Sequence, residues 1–217
     1  MIYSLISGNS QPIFIKIIFW GIFAYLLGAI PFSYLITSFF RKSDILQYGD
    51  GNPGAYNAWH VGGWKVGLMA VFLDFGKGFF PIFMAQKLGG LTGWTMVPIA
   101  LAPILGHARS PFLQFHKGKA VATTLGVWLG LTGISGIVAF AIFTITTMLW
   151  IDEHAWNVVF GMIGIVFYCI FMQNSVALIL IAALNLLLLA WTHQCELLQP
   201  IQIHDRPREL IYRWRNS

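Results

Sequence analysis

Three stretches of this chain hold the residue types that could do chemistry. The first reads Asp44-Ile-Leu-Gln-Tyr-Gly49-Asp50-Gly51-Asn52-Pro53-Gly54-Ala55-Tyr56-Asn57. Its glycines, proline and asparagines make a tight loop with exposed backbone N–H groups. Small residues let such a backbone approach an anion closely, which suits a phosphate; a plain turn-forming connector has the same composition. The second runs from Gly106-His107-Ala108-Arg109-Ser110-Pro111 to His116-Lys117-Gly118-Lys119. It gathers histidines and cations around a glycine, with lysine able to act as a point charge on a phosphate. Topology alone would account for the lysines and the arginine, but not for the histidines or Gly118. The third is Asp74 with Lys77, followed by Gly78, inside an apolar run. The i,i+3 spacing puts both side chains on one helix face. Ionisable groups in an apolar span face a bundle interior or a cavity, so a structural ion pair and a functional one read equally well. His193, at the end of the last apolar run, reads by itself as structural.

Several chemistries find no support. The six histidines are dispersed without metal-ligand spacing, and Cys169 and Cys195 form no paired motif, so no metal is expected. Cys169 lies within an apolar run and Cys195 beyond the last one, which fits buried or free thiols rather than a disulfide framework. No nucleotide-binding Gly-Lys-Ser/Thr loop and no G-x-S-x-G nucleophile is present.

The elements that must position these residues are membrane helices. Of the 217 residues, 57% are hydrophobic and 10% charged, with mean hydropathy +0.71. A soluble domain carries about 25% charged residues, so no water-facing surface can be built from this set. Apolar segments lie at 13–40, 66–85, 91–105, 121–135, 136–151, 156–172 and 175–191. The first is interrupted by Gly28 and Pro31, which predicts a kink or a re-entrant turn. It continues for more than about 20 residues without a small-residue cleavage site, unlike a signal peptide. Several segments are shorter than the roughly 20 residues of an upright span, as is tolerated where protein rather than lipid covers the backbone.

Basic residues set the expected topology. Arg41, Lys42 and Lys65 lie in 41–65, Arg109, Lys117 and Lys119 in 106–119, and Arg206, Arg208, Arg213 and Arg215 in the tail; Lys77 is inside an apolar run, and the opposite-side segments offer only Lys16 and Lys87. Placing all three basic regions in the cytoplasm requires an even number of crossings between each, which splits 121–151 in two. The expectation is an all-α polytopic membrane protein: a bundle of about seven short transmembrane helices, with the N-terminus outside and the C-terminus cytoplasmic. The same bias accounts for the net charge of +5, so no nucleic-acid partner is expected. Residues 1–195 form the transmembrane domain. Residues 196–217 form a basic cytoplasmic tail, whose Arg, Ile211, Tyr212 and Trp214 suit an interfacial anchor.

In order and spacing, these stretches resemble the motifs of the bacterial acyl-phosphate:glycerol-3-phosphate acyltransferases, the PlsY type. The matching residues are Gly28-Ala-Ile-Pro31, the 49–57 loop, Asp74-Phe-Gly-Lys77-Gly78, Gly106-His107, Pro111, Gly118, Lys119 and Val121-Ala122-Thr123, with His193 after the last span. The match covers roughly residues 20 to 195. It implies transfer of a fatty acyl group from acyl phosphate to the 1-hydroxyl of sn-glycerol 3-phosphate, giving lysophosphatidic acid and phosphate for phospholipid synthesis. It also implies a bacterial cytoplasmic (inner) membrane location, contact with membrane lipid, and no cofactor, acyl carrier protein or coenzyme A; no sequence feature specifies a homo-oligomer. Under this resemblance Lys119, Asn52, Asp50 and His193 are the catalytic candidates. Gly51, Gly54, Asn57, His60, His107, Gly118 and Thr123 are the substrate-binding ones.

The chain departs from the family pattern within those motifs. Asp50 stands for a serine, Tyr56 for a threonine, and Leu46 and His60 for arginines. The second loop reads His116-Lys117-Gly118-Lys119-Ala120 in place of Lys-Gly-Gly-Lys-Gly, and Gln194-Cys195-Glu196 follows His193 without the family's Asn and Arg. A carboxylate about 4 Å from a phosphate charge is repelled by roughly 4 kcal/mol at an effective dielectric near 20. A pairing of Asp50 with Lys117 or Lys119 would offset this. The alternatives to acyl transfer onto glycerol 3-phosphate are a paralogue with a changed acceptor or lost activity, and a small-anion transporter in which Asp74 and Lys77 are pathway groups.

Overall fold

The computed structural model of the chain describes residues 12–41, 44–201 and 203. The arginine-rich tail beyond 203, Lys42 and the first eleven residues lie outside them. The described residues form helices α1 (Ile13–Ala29), α2 (Phe32–Arg41), α3 (Ala55–Gly62), α4 (Trp64–Lys87), α5 (Met96–Ala108), α6 (Val121–Thr132), α7 (Ile134–Met148), α8 (His154–Tyr168), α9 (Val176–Thr192) and α10 (Gln194–Leu197). A π-helical turn, Cys169–Gln173, extends α8. Extended pairing among these residues is limited to isolated bridges, Arg109 with Lys117 and Ile151 with Ile203.

Three stretches are long and apolar enough to cross a membrane, judged by length and composition: Ile13–Arg41, Trp64–Lys87 and His154–Gln173. Val121–Thr132, Ile134–Met148 and Val176–Thr192 are shorter apolar helices, as is the stretch Gly93–Ala108. The apolar surface they leave is extensive, with Phe72, Ile145 and Leu187 being 67%, 61% and 64% exposed. Surfaces of this kind suit a hydrocarbon solvent rather than water. The run 121–151 does divide, at Gly133, into α6 and α7.

The break expected near Pro31 falls between α1 and α2. Ile30 is extended, with φ −61° and ψ 120°, as the residue before a proline must be. Breaking a helix in an apolar bundle frees carbonyls that need donors. Ser110 Oγ donates to the Ala29 carbonyl at 2.5 Å, and Lys77 Nζ donates to the Ile30 carbonyl at 2.9 Å. The charged pair inside α4 therefore secures the kink in the first segment.

Glycines set the closest helix crossing. A Cβ on Gly78 of α4 would collide with the Thr123 carbonyl of α6, and one on Gly126 of α6 with the Phe75 carbonyl of α4. The two backbones touch with no side chain between them. Trp128 Nε1 donates to Asn185 Oδ1 at 2.9 Å, tying α6 to α9 through a fully buried polar contact. With these crossings fixed, the 44–54 loop, the 109–120 loop, the start of α8 and the end of α9 converge at one end of the bundle, where Asp50, Lys119, His154 and Glu196 are neighbours.

Candidate active site

The 44–54 loop is organised by its own side chains. Asp44 caps the short turn Ile45–Gln47, accepting from the Leu46 N–H at 3.0 Å. Gly51 then adopts φ +70°, a left-handed conformation open to glycine at little cost. Asp50 Oδ1 accepts from the Asn52 N–H at 3.1 Å and from Asn57 Nδ2 at 2.9 Å. The Asn57 amide also lies 3.1 Å from the Tyr48 carbonyl and 3.0 Å from the Asn52 carbonyl. Asp50 and Asn57 thus bind the loop to the first turn of α3. Arg41 closes the other end of that helix, donating from Nε and a terminal nitrogen to the Gly62 carbonyl at 3.1 and 2.9 Å.

The remaining oxygen of Asp50, Oδ2, points to the second loop and pairs with Lys119 Nζ at 2.7 Å. Of the two lysines that could pair with Asp50, the chosen one is Lys119. It pairs again with Glu196 Oε1 at 2.9 Å. Burial pushes both carboxyls up, but hydrogen bonding to Lys119 and its charge outweigh that, assisted by backbone N–H groups and, for Asp50, by the Asn57 amide. Both carboxyls are held below their usual range. Burial likewise lowers the Lys119 ammonium, yet its two carboxylate partners more than compensate and raise it. Lys119 is a fixed cation at neutral pH.

Deeper in the same end lies a buried polar cluster. Asp74 Oδ1 is 2.9 Å from Lys77 Nζ, an i,i+3 contact, and Asp74 Oδ2 accepts from Ser33 Oγ at 2.6 Å. Thr123 Oγ1 donates to the Asp74 carbonyl at 3.0 Å and lies 3.3 Å from His107 Nδ1.

A cavity of about 570 Å³ joins the two clusters, and its wall includes Asp50, Asn52, Asn57, Asp74, His107 and Lys119. Gly54 and Tyr56 also line it, and Val121, Ala122 and Leu125 form an apolar flank. A fixed ammonium beside an apolar flank can receive an anionic head group with a hydrocarbon chain attached.

Among the predicted residues, Gly51, His60, Gly118, Thr123 and His193 do not line the cavity. His60 is exposed and sets its ring against Tyr56, one turn along α3; on a helix that short, only the first turn reaches the wall. Gly118 lies behind the wall, donating to the Ala108 carbonyl at 3.1 Å, and a Cβ there would strike the His107 carbonyl. Thr123 is fully buried and positions His107 and α4. His193 is also fully buried, with Nδ1 2.8 Å from the Leu189 carbonyl, so it stands behind Lys119 rather than in the cavity.

Other charges of the second loop serve the loop itself. Arg109 donates to the Phe115 carbonyl at 3.0 Å and lies over the Trp191 ring. His116 Nδ1 is 2.7 Å from the Leu113 carbonyl. His154, on the wall at the start of α8, has no sequence motif to announce it. The only signal was a histidine beginning an apolar run after Asp152 and Glu153. Among the described residues no cluster of three His, Cys, Asp or Glu could hold a metal ion.

The model of the family described as glycerol-3-phosphate acyltransferase matches residues 18–201. The chain belongs to that family. A glycerol-3-phosphate acyltransferase of Maridesulfovibrio salexigens is 33% identical over 178 residues, covering 82% of this chain and 89% of the relative. Glycerol-3-phosphate acyltransferase 1 of Thermotoga maritima is 43% identical over 114 residues, but that match spans 52% of this chain and only 56% of the relative's length. The solved structure of PlsY, an integral membrane glycerol 3-phosphate acyltransferase in its glycerol 3-phosphate form, superposes with TM-score 0.76. Its sequence is 31% identical, and the match covers 84% of this chain and 90% of that one.

Proposed function

We propose that this chain transfers a fatty acyl group from acyl phosphate to the 1-hydroxyl of sn-glycerol 3-phosphate, releasing lysophosphatidic acid and phosphate. The observation that carries this reading is the cavity wall, where Lys119, a backbone-rich loop at 50–57 and an apolar flank at 121–125 meet in a chain of this family. The acceptor oxygen attacks the acyl carbonyl carbon, a new C–O ester bond forms, and the bond to the phosphate oxygen breaks. The hydroxyl proton leaves with the phosphate or to water. Acyl phosphate is an activated mixed anhydride, so positioning and charge stabilisation supply most of the catalysis. Lys119 meets the phosphate charge, Asn52 and Asn57 orient the loop, and His107 presents an imidazole from the floor. Asp74 and Lys77 hold that floor in place.

The same reading places the chain in the bacterial cytoplasmic membrane with seven spans, the N-terminus outside and the site facing the cytoplasm. It is supported by the meeting of the 44–54 loop, Lys119, His154 and Glu196 at one end, since two helices long enough to count as crossings, the eight-residue α3 being left out, separate each from the next. Reporter fusions after Gly63, Lys117 and Arg208 should all read as cytoplasmic; a periplasmic signal at Arg208 alone would defeat the count of seven.

The deciding assay uses purified protein and palmitoyl phosphate. Phosphate release that depends on added glycerol 3-phosphate, with lysophosphatidic acid formed in equal amount, is the expected result. A second reading, a neutral acceptor, is favoured by the two carboxylates on Lys119; transfer to glycerol but not to glycerol 3-phosphate would select it.

A further inference from the structure

The two carboxylates on Lys119 are held in different ways. Asp50 is built into its loop, with Oδ1 taking two N–H donors and Oδ2 left for Lys119. Glu196 rides on α10, a helix of four residues that follows the last long helix. Its side chain is 38% exposed, and the carboxylate pairs with Lys119 at 2.9 Å. An ammonium has three donors. Asp50 claims one and Glu196 a second, which leaves a single donor for a substrate phosphate unless Glu196 moves.

We propose that Glu196 is a specificity-determining residue that competes with the phosphate of the acceptor for Lys119. The loop geometry fixes Asp50, so Glu196 is the carboxylate that must swing away when a phosphate binds. The displaced carboxylate remains near the ligand and repels it. The site therefore discriminates against dianionic acceptors by an amount that Glu196 sets. The consequence is a glycerol 3-phosphate affinity poorer than the cavity could otherwise provide.

The inference rests on the proposed acyl transfer only for the choice of ligand, so its test reads binding as well as turnover. Equilibrium dialysis of the purified full chain against labelled glycerol 3-phosphate, with inorganic phosphate as competitor, gives the affinities. Glu196→Gln keeps the side chain's size and removes its charge. It should tighten both ligands by about tenfold, equivalent to about 1.4 kcal/mol, and lower KM for glycerol 3-phosphate in the same proportion. The gain should vanish in a Lys119→Ala background.

Unchanged or weakened binding in Glu196→Gln would overturn the proposal, and so would a gain that survives the loss of Lys119. If binding tightens as expected but neither protein acylates glycerol 3-phosphate, the proposed function fails and the competition at Lys119 stands.

Discussion

The molecule uses the same ionic chemistry twice, at similar distances and to different ends. Asp74 and Lys77 meet at 2.9 Å with side chains 2% and 1% exposed. Asp50 and Lys119 meet at 2.7 Å with side chains 41% and 28% exposed. The inner pair spends its remaining capacity on backbone and hydroxyl groups of the kinked first segment. The outer pair turns the rest of its capacity to the cavity and to Glu196. Burial decides the role: a dry pair that also holds neighbouring backbone and hydroxyl groups acts as a pin, whereas a half-wet pair can exchange partners with a ligand.

The pin should give the largest effect. Removing one partner of a buried pair leaves an uncompensated charge and costs about 3–5 kcal/mol. Lys77→Ala or Asp74→Ala should therefore sharply lower the unfolding midpoint of the detergent-solubilised protein. A midpoint within a degree or two of wild type would show that the inner pair is not a pin.

At the outer pair, Lys119→Ala should cut kcat/KM by on the order of 100-fold, the scale of losing a preorganised charge, while leaving the unfolding midpoint almost unmoved. Lys119→Arg should recover only part of the rate, because a planar fork does not replace a point charge. An unchanged rate would remove the second loop from the site.

Smaller still is the coupling that separates the two candidate partners of Asp50. A cycle of Asp50→Ser with Lys119→Ala should show coupling of about 0.5–1 kcal/mol in stability, the upper range for partly exposed pairs. The same cycle with Lys117→Gly should fall below about 0.5 kcal/mol. The reverse ranking would contradict the 2.7 Å contact.

The smallest expected effect is the pH response of the outer cluster. Asp50 and Glu196 titrate below their usual range in the folded protein. The stability they add is present above the unfolded carboxylate range and is lost as pH falls through the lowered values. Lys119 is raised, so its contribution is complete below the usual lysine range and is lost only as pH rises through the raised value. The unfolding midpoint should be level through neutral pH and decline gently on the acid side. Lys119→Ala should flatten that decline.

The helices were legible because apolar runs of this length have few other fates. The runs 66–85, 136–151 and 175–191 became α4, α7 and α9 with boundaries shifted by a few residues. Helix α3 was read as loop, since eight residues following Gly51-Asn-Pro-Gly54 carry no long periodicity. The shared helix face of Asp74 and Lys77 is local geometry and was readable from their spacing, but whether the pair is structural or functional was not. The pairing of Asp50 with Lys119 depends on how separate loops meet, so charge compensation narrowed it to two lysines and only the fold chose between them. His154 and the Glu196 contact were beyond reach for the same reason: they are 35 and 77 positions from Lys119 in sequence, and only the folded helices bring them together. His60 and His193 were placed by resemblance. Such placement fixes position along the chain but not which side of a turn faces the cavity.

The backbone contacts at Gly78 and Gly126 limit how this site can open. Two backbones pressed together cannot slide along one another without first separating, because each carbonyl sits in the notch that the opposite glycine provides. Helices α4 and α6 therefore behave as one rigid body, which carries Asp74 and Thr123 and whose α6 begins two residues after Lys119. Any gate that admits or releases a long-chain ligand must be formed by the parts that flank this body. The first turn of the short α3 forms part of the cavity wall, and the four-residue α10 reaches the wall's Lys119 through Glu196. Opening is then a motion of light, peripheral elements against a stationary floor.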